Sequence, residues 1–264
     1  MTARPYNSQC LLSNWYEDRE LQDFADRNFR QLKNNNKLLT QSWSKITNQL
    51  LQDKSPSIIT DGLKHNQKVC LSAKNNGSTV AIGINQSEWV LNCQYVSDAT
   101  NNKKIDIEPM DEIDVTGCKY ISEDSIRNSR FIFNIESVDA DETIQYGKSI
   151  MISVEFNDIK YYLASEKSFV KCASISRNNS VYLTKNLNYR CHWMFMYGFP
   201  EYQFEMMHKP VKCDMLNFII NRHTNENLNI EDALHYTIFG NEYEISTKNV
   251  KGSKSNLWKF SASC

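Results

Sequence analysis

The sequence predicts a mainly β protein: a β-trefoil-like closed domain preceded by an N-terminal tail and two short helices. From residue 58 onwards, short apolar runs alternate with clusters of Asn, Asp, Gly and Ser, which is typical of an all-β domain. Before that point, apolar residues recur at helical spacing instead. We therefore divide the chain into residues 1–56, a tail and helical anchor, and residues 57–264, the β domain.

The N-terminal part begins with an aperiodic stretch, residues 1–14, which we interpret as an extended tail. A first helical stripe then follows at Leu21, Phe24, Ala25, Phe29 and Leu32. After an Asn-rich break at 34–36, a second stripe follows at Leu39, Trp43, Ile46 and Leu50. Two helices of about four turns or fewer are marginal alone in water, so their apolar stripes need a partner surface.

The β domain contains twelve segments with the composition of strands. They are residues 68–73, 79–84, 89–96, 130–138, 149–155, 160–164, 180–184, 193–197, 216–221, 236–239, 242–246 and 256–261. Asn76-Gly77 and Asn157-Asp158 suit tight hairpin turns. Residues 98–128 are polar, and we predict an inserted loop there.

Three of these strands share an aromatic-x-Phe core at near-equal spacing. The pairs are Phe131 and Phe133, Trp193 and Phe195, and Trp258 and Phe260. Alternation along a strand points both aromatics of a pair to one face, so we predict that all six are buried. Three blocks of four strands suggest a β-trefoil, in which three units close a barrel and remove the sheet edges. A β-sandwich has similar strand spacing and is the alternative, but the near-equal spacing favours the three-fold arrangement.

Composition excludes several classes of function. The formal net charge is -1, so a strongly basic surface for nucleic acid is not expected. No apolar run approaches the roughly 20 residues of a membrane span, and the first residues lack the apolar core of a secretion signal. We therefore expect the cytosol or a cytosol-continuous compartment, where the 8 cysteines, none in a Cys-x-x-Cys pair, are free thiols.

No motif indicates an enzyme, a cofactor or a metal site. Glycine-rich nucleotide loops are missing, and Gly147-Lys148-Ser149 lacks the upstream glycine of a phosphate loop. Cys191 and His192 are neighbours on a predicted strand boundary and face opposite sides, which disfavours a catalytic pair. The set that a fold could assemble around zinc is His208, Cys213 and His223, but its spacing matches no common finger.

Several segments resemble a known family in the same order and spacing. They include Ser13-Asn14-Trp15-Tyr16-Glu17-Asp18, Thr60-Asp61-Gly62, Gln145-Tyr146-Gly147, Ile220-Asn221-Arg222-His223-Thr224-Asn225 and Phe239-Gly240-Asn241-Glu242-Tyr243-Glu244. The resemblance is to the cilia- and flagella-associated protein 161 family, and it extends from about residue 13 to residue 260. No single motif is specific, so the shared order carries the resemblance.

The resemblance implies a structural protein without enzymatic activity. More specifically, it implies a microtubule inner protein, which binds the luminal wall of the A-tubule of axonemal doublet microtubules near the seam. Its implied partners are the α/β-tubulin lattice and other inner proteins, and its implied location is the axoneme of the cilium or flagellum. Candidate partner contacts are Trp15, Glu17, Asp18, Trp43, His223, Thr224 and Asn225. The two tryptophans are anchors of the kind that is enriched at interface centres.

Two alternatives stay open at this point. The helices of residues 1–56 are expected to lie across neighbouring proteins, but they could instead cap the end of the barrel. The alternative function is a soluble β-trefoil binding module for a sugar, a lipid head group or a peptide. Trp89 and Asn92 suit a sugar site in one block, but that pattern does not recur in the others.

Overall fold

The computed structural model describes residues 11–53, 62–85, 111–120, 129–139, 142–156, 159–213, 215–237, 239–249 and 254–261. The helical region up to Gln49 belongs to one compact unit, and the strands belong to another. Within these ranges no helix has the length and apolar character needed to cross a bilayer. The predicted tail over residues 1–10, the domain boundary after residue 56 and the strand at 89–96, with Trp89 and Asn92, lie outside the described residues.

The helical unit contains α1 (Leu11–Asn34) and α2 (Leu39–Leu50). The predicted extended tail was wrong over residues 11–14, which form the first turn of α1. With 24 residues, α1 has nearly seven turns, more than predicted. The Asn-rich break is where the helix ends: Asn36 has a left-handed φ of 54°, and the Lys37 N–H donates to the Leu32 carbonyl at 2.9 Å.

The described residues of the second unit form twelve strands and a one-turn helix, α3 (Gln203–Met206). The strands are β1 (Gln67–Asn75), β2 (Ser78–Ile84), β3 (Glu112–Tyr120), β4 (Ile132–Ser137), β5 (Ile150–Phe156), β6 (Ile159–Ser165), β7 (Asn179–Thr184), β8 (Trp193–Tyr197), β9 (Asn217–Asn221), β10 (Glu226–Thr237), β11 (Gly240–Lys248) and β12 (Trp258–Ser261). Between β1 and β2, Asn76 and Gly77 both have positive φ, as the predicted tight turn requires.

Six of the strands form a closed ring. Antiparallel pairs join β1 to β4, β4 to β5, β5 to β8, β8 to β9, β9 to β12, and β12 back to β1. In the closing pair, Leu71 lies opposite Phe260. Each of these strands has ring neighbours on both sides, so the ring has no free edge. The prediction of a mainly β, closed domain is confirmed.

The other six strands form three hairpins: β2–β3, β6–β7 and β10–β11. Each hairpin is joined to the ring through its first strand, which pairs with β1, β5 or β9. The second strands, β3, β7 and β11, pair with one another. The pairing pattern therefore repeats every four strands, which differs from the two separate sheets of a sandwich.

The aromatic pairs lie in the core, as predicted. All six side chains are buried: Phe131, Phe133, Trp193, Phe195, Trp258 and Phe260. The rings of Phe195 and Phe260 meet edge to face, with centroids 4.9 Å apart. Trp193 Nε1 donates to the Leu163 carbonyl at 2.7 Å, and Trp258 Nε1 donates to the Leu228 carbonyl at 2.8 Å. These two bonds connect the last and second strands of their own four-strand blocks.

A buried ion pair joins the segment before β4 to β11, and hydrogen bonds connect it to the β2–β3 hairpin. Arg130, just before β4, contacts Glu242 Oε2 at 2.6 Å, and both side chains are almost completely buried. Arg130 Nε also donates to the Ile84 carbonyl at 2.6 Å, and the Thr116 hydroxyl donates to the same Glu242 oxygen at 2.7 Å. The guanidinium lies 3.8 Å from the centre of the Phe239 ring. These partners compensate part of the cost of burying both charges, while Glu242 Oε1 is buried without a hydrogen-bond partner among the described residues.

Strand β3 lies inside the region that was predicted to be an inserted loop, so the prediction for 98–128 was wrong over residues 112–120. Ile113 and Val115 are buried, but they alternate with Glu112 and Asp114, and Gly117 follows. Because only two large apolar side chains mark the strand, the composition resembles that of a loop. Residues 98–110 and 121–128 lie outside the described residues.

The strand at 236–239 was also predicted too short, because β10 begins at Glu226. Its first half carries polar side chains that are buried and hydrogen-bonded. Glu231 Oε1 accepts from Asn178 Nδ2 at 2.7 Å, from Asn229 Nδ2 at 3.0 Å and from Ser246 Oγ at 2.6 Å. Only Leu228 and Ile230 mark the apolar face of this half of the strand, and two apolar residues are too few to show a strand by their alternation.

Candidate interaction sites

The predicted contacts on α1 lie on an exposed helix. Trp15 is 79% exposed, and Glu17 and Asp18 are exposed in the same part of α1. Phe24 and Phe29, from the predicted apolar stripe, are more than half exposed as well. Trp43 lies on α2, and its side chain falls outside the described part of the chain. Large apolar side chains on a helix surface are typical of protein interaction sites.

The other predicted contacts form the turn between β9 and β10. Asn221 Oδ1 accepts the backbone N–H groups of His223 at 3.0 Å and Thr224 at 3.1 Å. Asn225 adopts a left-handed φ of 57°, and its N–H donates to the Asn221 carbonyl. The His223 ring meets the Tyr189 ring edge to face, 4.6 Å between centroids, and both side chains are exposed. The turn thus presents a fixed pair of rings, whereas Trp15, Glu17 and Asp18 belong to the helical unit.

The residues considered for chemistry are not assembled into a site. Among the described residues, no group of three or more His, Cys, Asp or Glu side chains could hold a metal, so His208, Cys213 and His223 do not form one. Cys191 is buried, and burial raises the pKa of its thiol, while the His192 ring lies 3.5 Å from Ser149 Oγ. The five cysteines whose positions are described, Cys70, Cys118, Cys172, Cys191 and Cys213, are free thiols, as predicted for them.

A cavity that sequence analysis did not predict opens at the junction of the hairpins. Its volume is about 340 Å³, and strands β3, β7, β10 and β11 form its walls with the connection between β6 and β7. Its charged and aromatic lining residues are Glu112, Asp114, Lys171, Tyr182, His235, Tyr236 and Glu244. Asp114 lies directly opposite Tyr182, and Thr116 lies opposite Glu244. Since alternate residues of a strand share a face, the polar face of β3 forms one wall of the cavity.

Two carboxylates of the cavity have partners within the chain. Glu112 forms an ion pair, and Glu244 accepts several hydrogen bonds. Lys171 Nζ contacts both oxygens of Glu112, at 2.6 and 2.8 Å, and this hydrogen bonding raises the pKa of Lys171. Glu244 is buried, which by itself would raise its pKa. However, its oxygens accept the N–H groups of Ile175 and Ser176 at 2.9 and 2.8 Å and contact His235 Nε2 at 3.1 Å, so the net pKa is lowered. Lys171 and Glu244 therefore remain charged at neutral pH.

A signal for this wall was present in the sequence. Residues 112–116 alternate strictly between polar and apolar, which is the pattern of a half-buried strand. Because the region 98–128 is polar as a whole, this short segment was predicted to be part of a loop. The partners of β3 in space, Tyr182 and Glu244, are distant in the chain, so no local pattern could have brought them together with Asp114.

A family model for the cilia- and flagella-associated protein 161-like domain matches residues 90–262. The chain belongs to this family. A cilia- and flagella-associated protein 161 from Danio rerio is 24% identical over 271 residues, covering 98% of this chain and 88% of the relative. The protein of that name from Bos taurus is 23% identical over 254 residues, covering 93% and 77%. The predicted family is thus confirmed, and the chain is a cilia- and flagella-associated protein.

Two solved structures share the fold of the β domain. The SDF2-like protein from Arabidopsis thaliana superimposes with a TM-score of 0.52 at 14% identity, over 76% of this chain and 94% of that one. A protein with unknown function from Caenorhabditis elegans gives a TM-score of 0.52 at 10% identity, over 76% and 97%. At these identities the likeness concerns the fold alone.

Proposed function

We propose that this chain is a structural microtubule inner protein without enzymatic activity. It binds the luminal wall of the A-tubule of axonemal doublet microtubules near the seam, contacts tubulin and neighbouring inner proteins, and stabilises the doublet for ciliary beating. Membership of a family named for cilia and flagella supports the location in a cilium or flagellum. The observation that carries the attachment is the exposure of three large aromatic side chains on α1, those of Trp15, Phe24 and Phe29.

The energetic argument concerns Trp15, Phe24 and Phe29. Burying one large apolar side chain at an interface contributes about 1.5–3 kcal/mol, so these side chains favour association over exposure to water. A protein repeated along a lattice is also held by its neighbours, because each contact raises the effective concentration of the next. Modest contacts from one helix therefore suffice for stable incorporation.

We also propose that the β domain is a β-trefoil. The support is the closed ring of six strands, the three hairpins and the pairing pattern that repeats every four strands. A closed domain without ring edges suits dense packing in a lattice, because free edges promote aggregation.

The test of attachment compares two variants of α1 in ciliated cells that lack the native protein. The triple variant Trp15→Ala, Phe24→Ala and Phe29→Ala removes the three exposed aromatic side chains and places alanine, a good helix former, at each position. The matched control, Asp26→Ala with Arg30→Ala, changes exposed polar residues of the same helix. We expect the control to remain with salt-washed axonemes and the triple variant to be lost from them, at equal cellular levels. Full retention of the triple variant contradicts attachment through α1.

The second candidate is a soluble β-trefoil binding module for a sugar, a lipid head group or a peptide. The cavity favours it, because about 340 Å³ is within the size range of small-ligand sites. The same fractionation separates the two functions. A soluble module leaves the axoneme in the first salt wash, whereas an inner protein stays until the doublet itself is dissolved.

A further inference from the structure

Helix α1 carries an apolar stripe, formed by Leu21, Phe24, Phe29 and Leu32. At 3.6 residues per turn, these positions fall within about 140° of the helix circumference. The first three side chains are 65%, 59% and 53% exposed, and residues 15–31 of the helix are all exposed. A helix that is surrounded by water is only marginally stable, so this stripe needs a partner surface.

The charges of α1 are segregated along its axis. The half up to residue 26 has five carboxylates and one arginine, a formal net charge of -4, and the half from residue 27 has three basic residues and no carboxylate, a formal net charge of +3. The charged residues are Glu17, Asp18, Arg19, Glu20, Asp23 and Asp26 in the first half, and Arg27, Arg30 and Lys33 in the second. The helix dipole favours this order, but only within the end turns. It does not account for Asp23, Asp26 and Arg27, which lie about two turns or more from either end.

The apolar stripe is symmetric about the same point. The boundary between the acidic and the basic half lies between residues 26 and 27. Leu21 and Leu32 are equally distant from this boundary on its two sides, and so are Phe24 and Phe29. Two copies of α1 that meet there in opposite directions place Leu21 of each level with Leu32 of the other, and Phe24 level with Phe29. The same arrangement sets the acidic half of each helix beside the basic half of the other.

We propose that α1 pairs with α1 of a second copy of this chain, antiparallel and about a two-fold axis at the boundary between residues 26 and 27. Such a pair buries the two stripes against each other, and its two-fold symmetry closes the assembly at two copies. The pairing names one neighbour of α1 in the attachment proposed above, and in that respect it rests on that proposal. Trp15 and Tyr16 lie level with residues beyond the end of the second α1, so they stay outside the pair.

The charges favour the antiparallel direction over the parallel one. In a parallel pair, each half lies beside the identical half of the other copy, and like charges repel. In the antiparallel pair, the net charges of -4 and +3 attract each other twice. Within one helix, Arg27 Nη2 lies 4.0 Å from Glu20 Oε2, with both side chains more than half exposed. An exposed contact of this kind contributes little, so it does not prevent either side chain from meeting a second helix.

Sedimentation equilibrium of the purified full chain tests the pairing with two charge variants. The basic variant, Asp18→Lys with Glu20→Lys and Asp23→Lys, changes the net charge of the first half to +2. The acidic variant, Arg27→Glu with Lys33→Glu, changes that of the second half to -1. We expect the wild type to dimerise, and each variant alone to associate at least about tenfold more weakly because both halves then have one sign. We expect an equimolar mixture of the two variants to form heterodimers.

Further variants separate the stripe from the rest of the helix surface. Phe24→Ala with Phe29→Ala removes four aromatic side chains from the dimer and should weaken it about a hundredfold or more. The first control is Tyr16→Ala, outside the stripe. The second is Asp26→Ala with Arg30→Ala, which removes one charge of each sign on the far side of the helix from Leu21. Both controls should dimerise within about twofold of the wild type. An unchanged melting temperature of the β domain shows that each variant is folded.

Disulfide cross-linking tests the direction of the pair. Leu21→Cys and Leu32→Cys are prepared as separate proteins, mixed and oxidised, and the linked peptides are identified by mass spectrometry. In the antiparallel pair the two introduced thiols lie level, so we expect a mixed disulfide between positions 21 and 32. Leu21→Cys alone should not link with itself, because its two thiols are about 16 Å apart along the axis and a disulfide requires Cα atoms within about 7 Å.

Three results overturn the proposal. The first is a wild-type chain that stays monomeric at submillimolar concentration. The second is a failure of the two charge variants to form heterodimers. The third is a disulfide of Leu21→Cys with itself, which indicates a parallel pair. A monomer that binds soluble tubulin through Phe24 and Phe29 would assign the stripe to tubulin instead. In that case the pairing fails while the attachment, tested by axoneme fractionation, still holds.

Discussion

The helical unit and the β domain use aromatic residues in opposite ways. In α1, Phe24 and Phe29 follow a helical pattern and are exposed, whereas Trp193 and Phe195 follow a strand pattern and are buried. Periodicity identified both sets equally well. A periodic apolar pattern thus shows which face is apolar, but the covering surface can come from the same fold or from a partner.

The largest expected effect is a matched pair of phenylalanine truncations. Phe195→Ala leaves a cavity in the core and should lower the free energy of unfolding by about 3–5 kcal/mol. Phe24→Ala on α1 should change it by less than about 0.5 kcal/mol. Urea unfolding followed by circular dichroism measures both. Equal losses would mean that Phe24 is covered within the folded chain, and the contrast between the units would not hold.

The next effect contrasts a buried with an exposed ion pair. Glu242→Gln removes one charge and leaves Arg130 buried without its counter-ion, so we expect a loss of about 3 kcal/mol. Glu112→Gln breaks a pair with Lys171 whose side chains are both more than two-fifths exposed, and it should cost less than about 1 kcal/mol. The measurement is the same urea titration. A smaller loss for Glu242→Gln than for Glu112→Gln contradicts the structural role of the buried pair.

Within the β domain, the two tryptophans test the three-fold repetition. Trp193→Phe and Trp258→Phe each remove an indole N–H and leave a buried carbonyl, that of Leu163 or Leu228, without this donor. We expect each to cost about 1–3 kcal/mol and the two losses to agree within about 1 kcal/mol. A large difference between the two would show that the blocks are similar in pairing but not in energetics.

The smallest effect concerns Glu244 and pH. Its pKa is lower in the folded protein than the ordinary value of 4.5, because hydrogen bonds outweigh burial. The resulting stabilisation is complete above 4.5 and is lost as the pH falls through the folded pKa. Between about pH 6.5 and about pH 3.5, the wild type should therefore lose more stability than Glu244→Gln. Parallel pH profiles for the two proteins would contradict this assignment.

Local pattern was sufficient for some parts of the fold and not for others. The aromatic-x-Phe pairs predicted six buried residues. Alternate residues of a strand share one face, and a face with two large aromatic side chains is favoured in the core. By contrast, β3 and the first half of β10 carry polar side chains that become compatible with the interior only through distant partners, such as Asn178 for Glu231. The start of α1 was missed because two leucines were too few to show a period.

The candidate sites divide in the same way. Trp15 and the turn at His223 belong to continuous segments, so resemblance to a family could single them out. The cavity is assembled from β3, β7, β10 and β11, and its wall residues Asp114, Tyr182 and Glu244 come from three different hairpins. A site of this kind depends on the pairing of β3, β7 and β11, which only the structure shows.

The closing pair of the ring also constrains how the domain can be made. β1 pairs with β12, so strands from opposite ends of the domain must meet before the ring is complete. During synthesis, β1 and β9 emerge well before β12 and lack one neighbour until it arrives. Contacts between such distant segments slow folding, to milliseconds or longer in comparable all-β domains. The ring therefore cannot close until β12, which carries Trp258 and Phe260, has paired with β1 and β9.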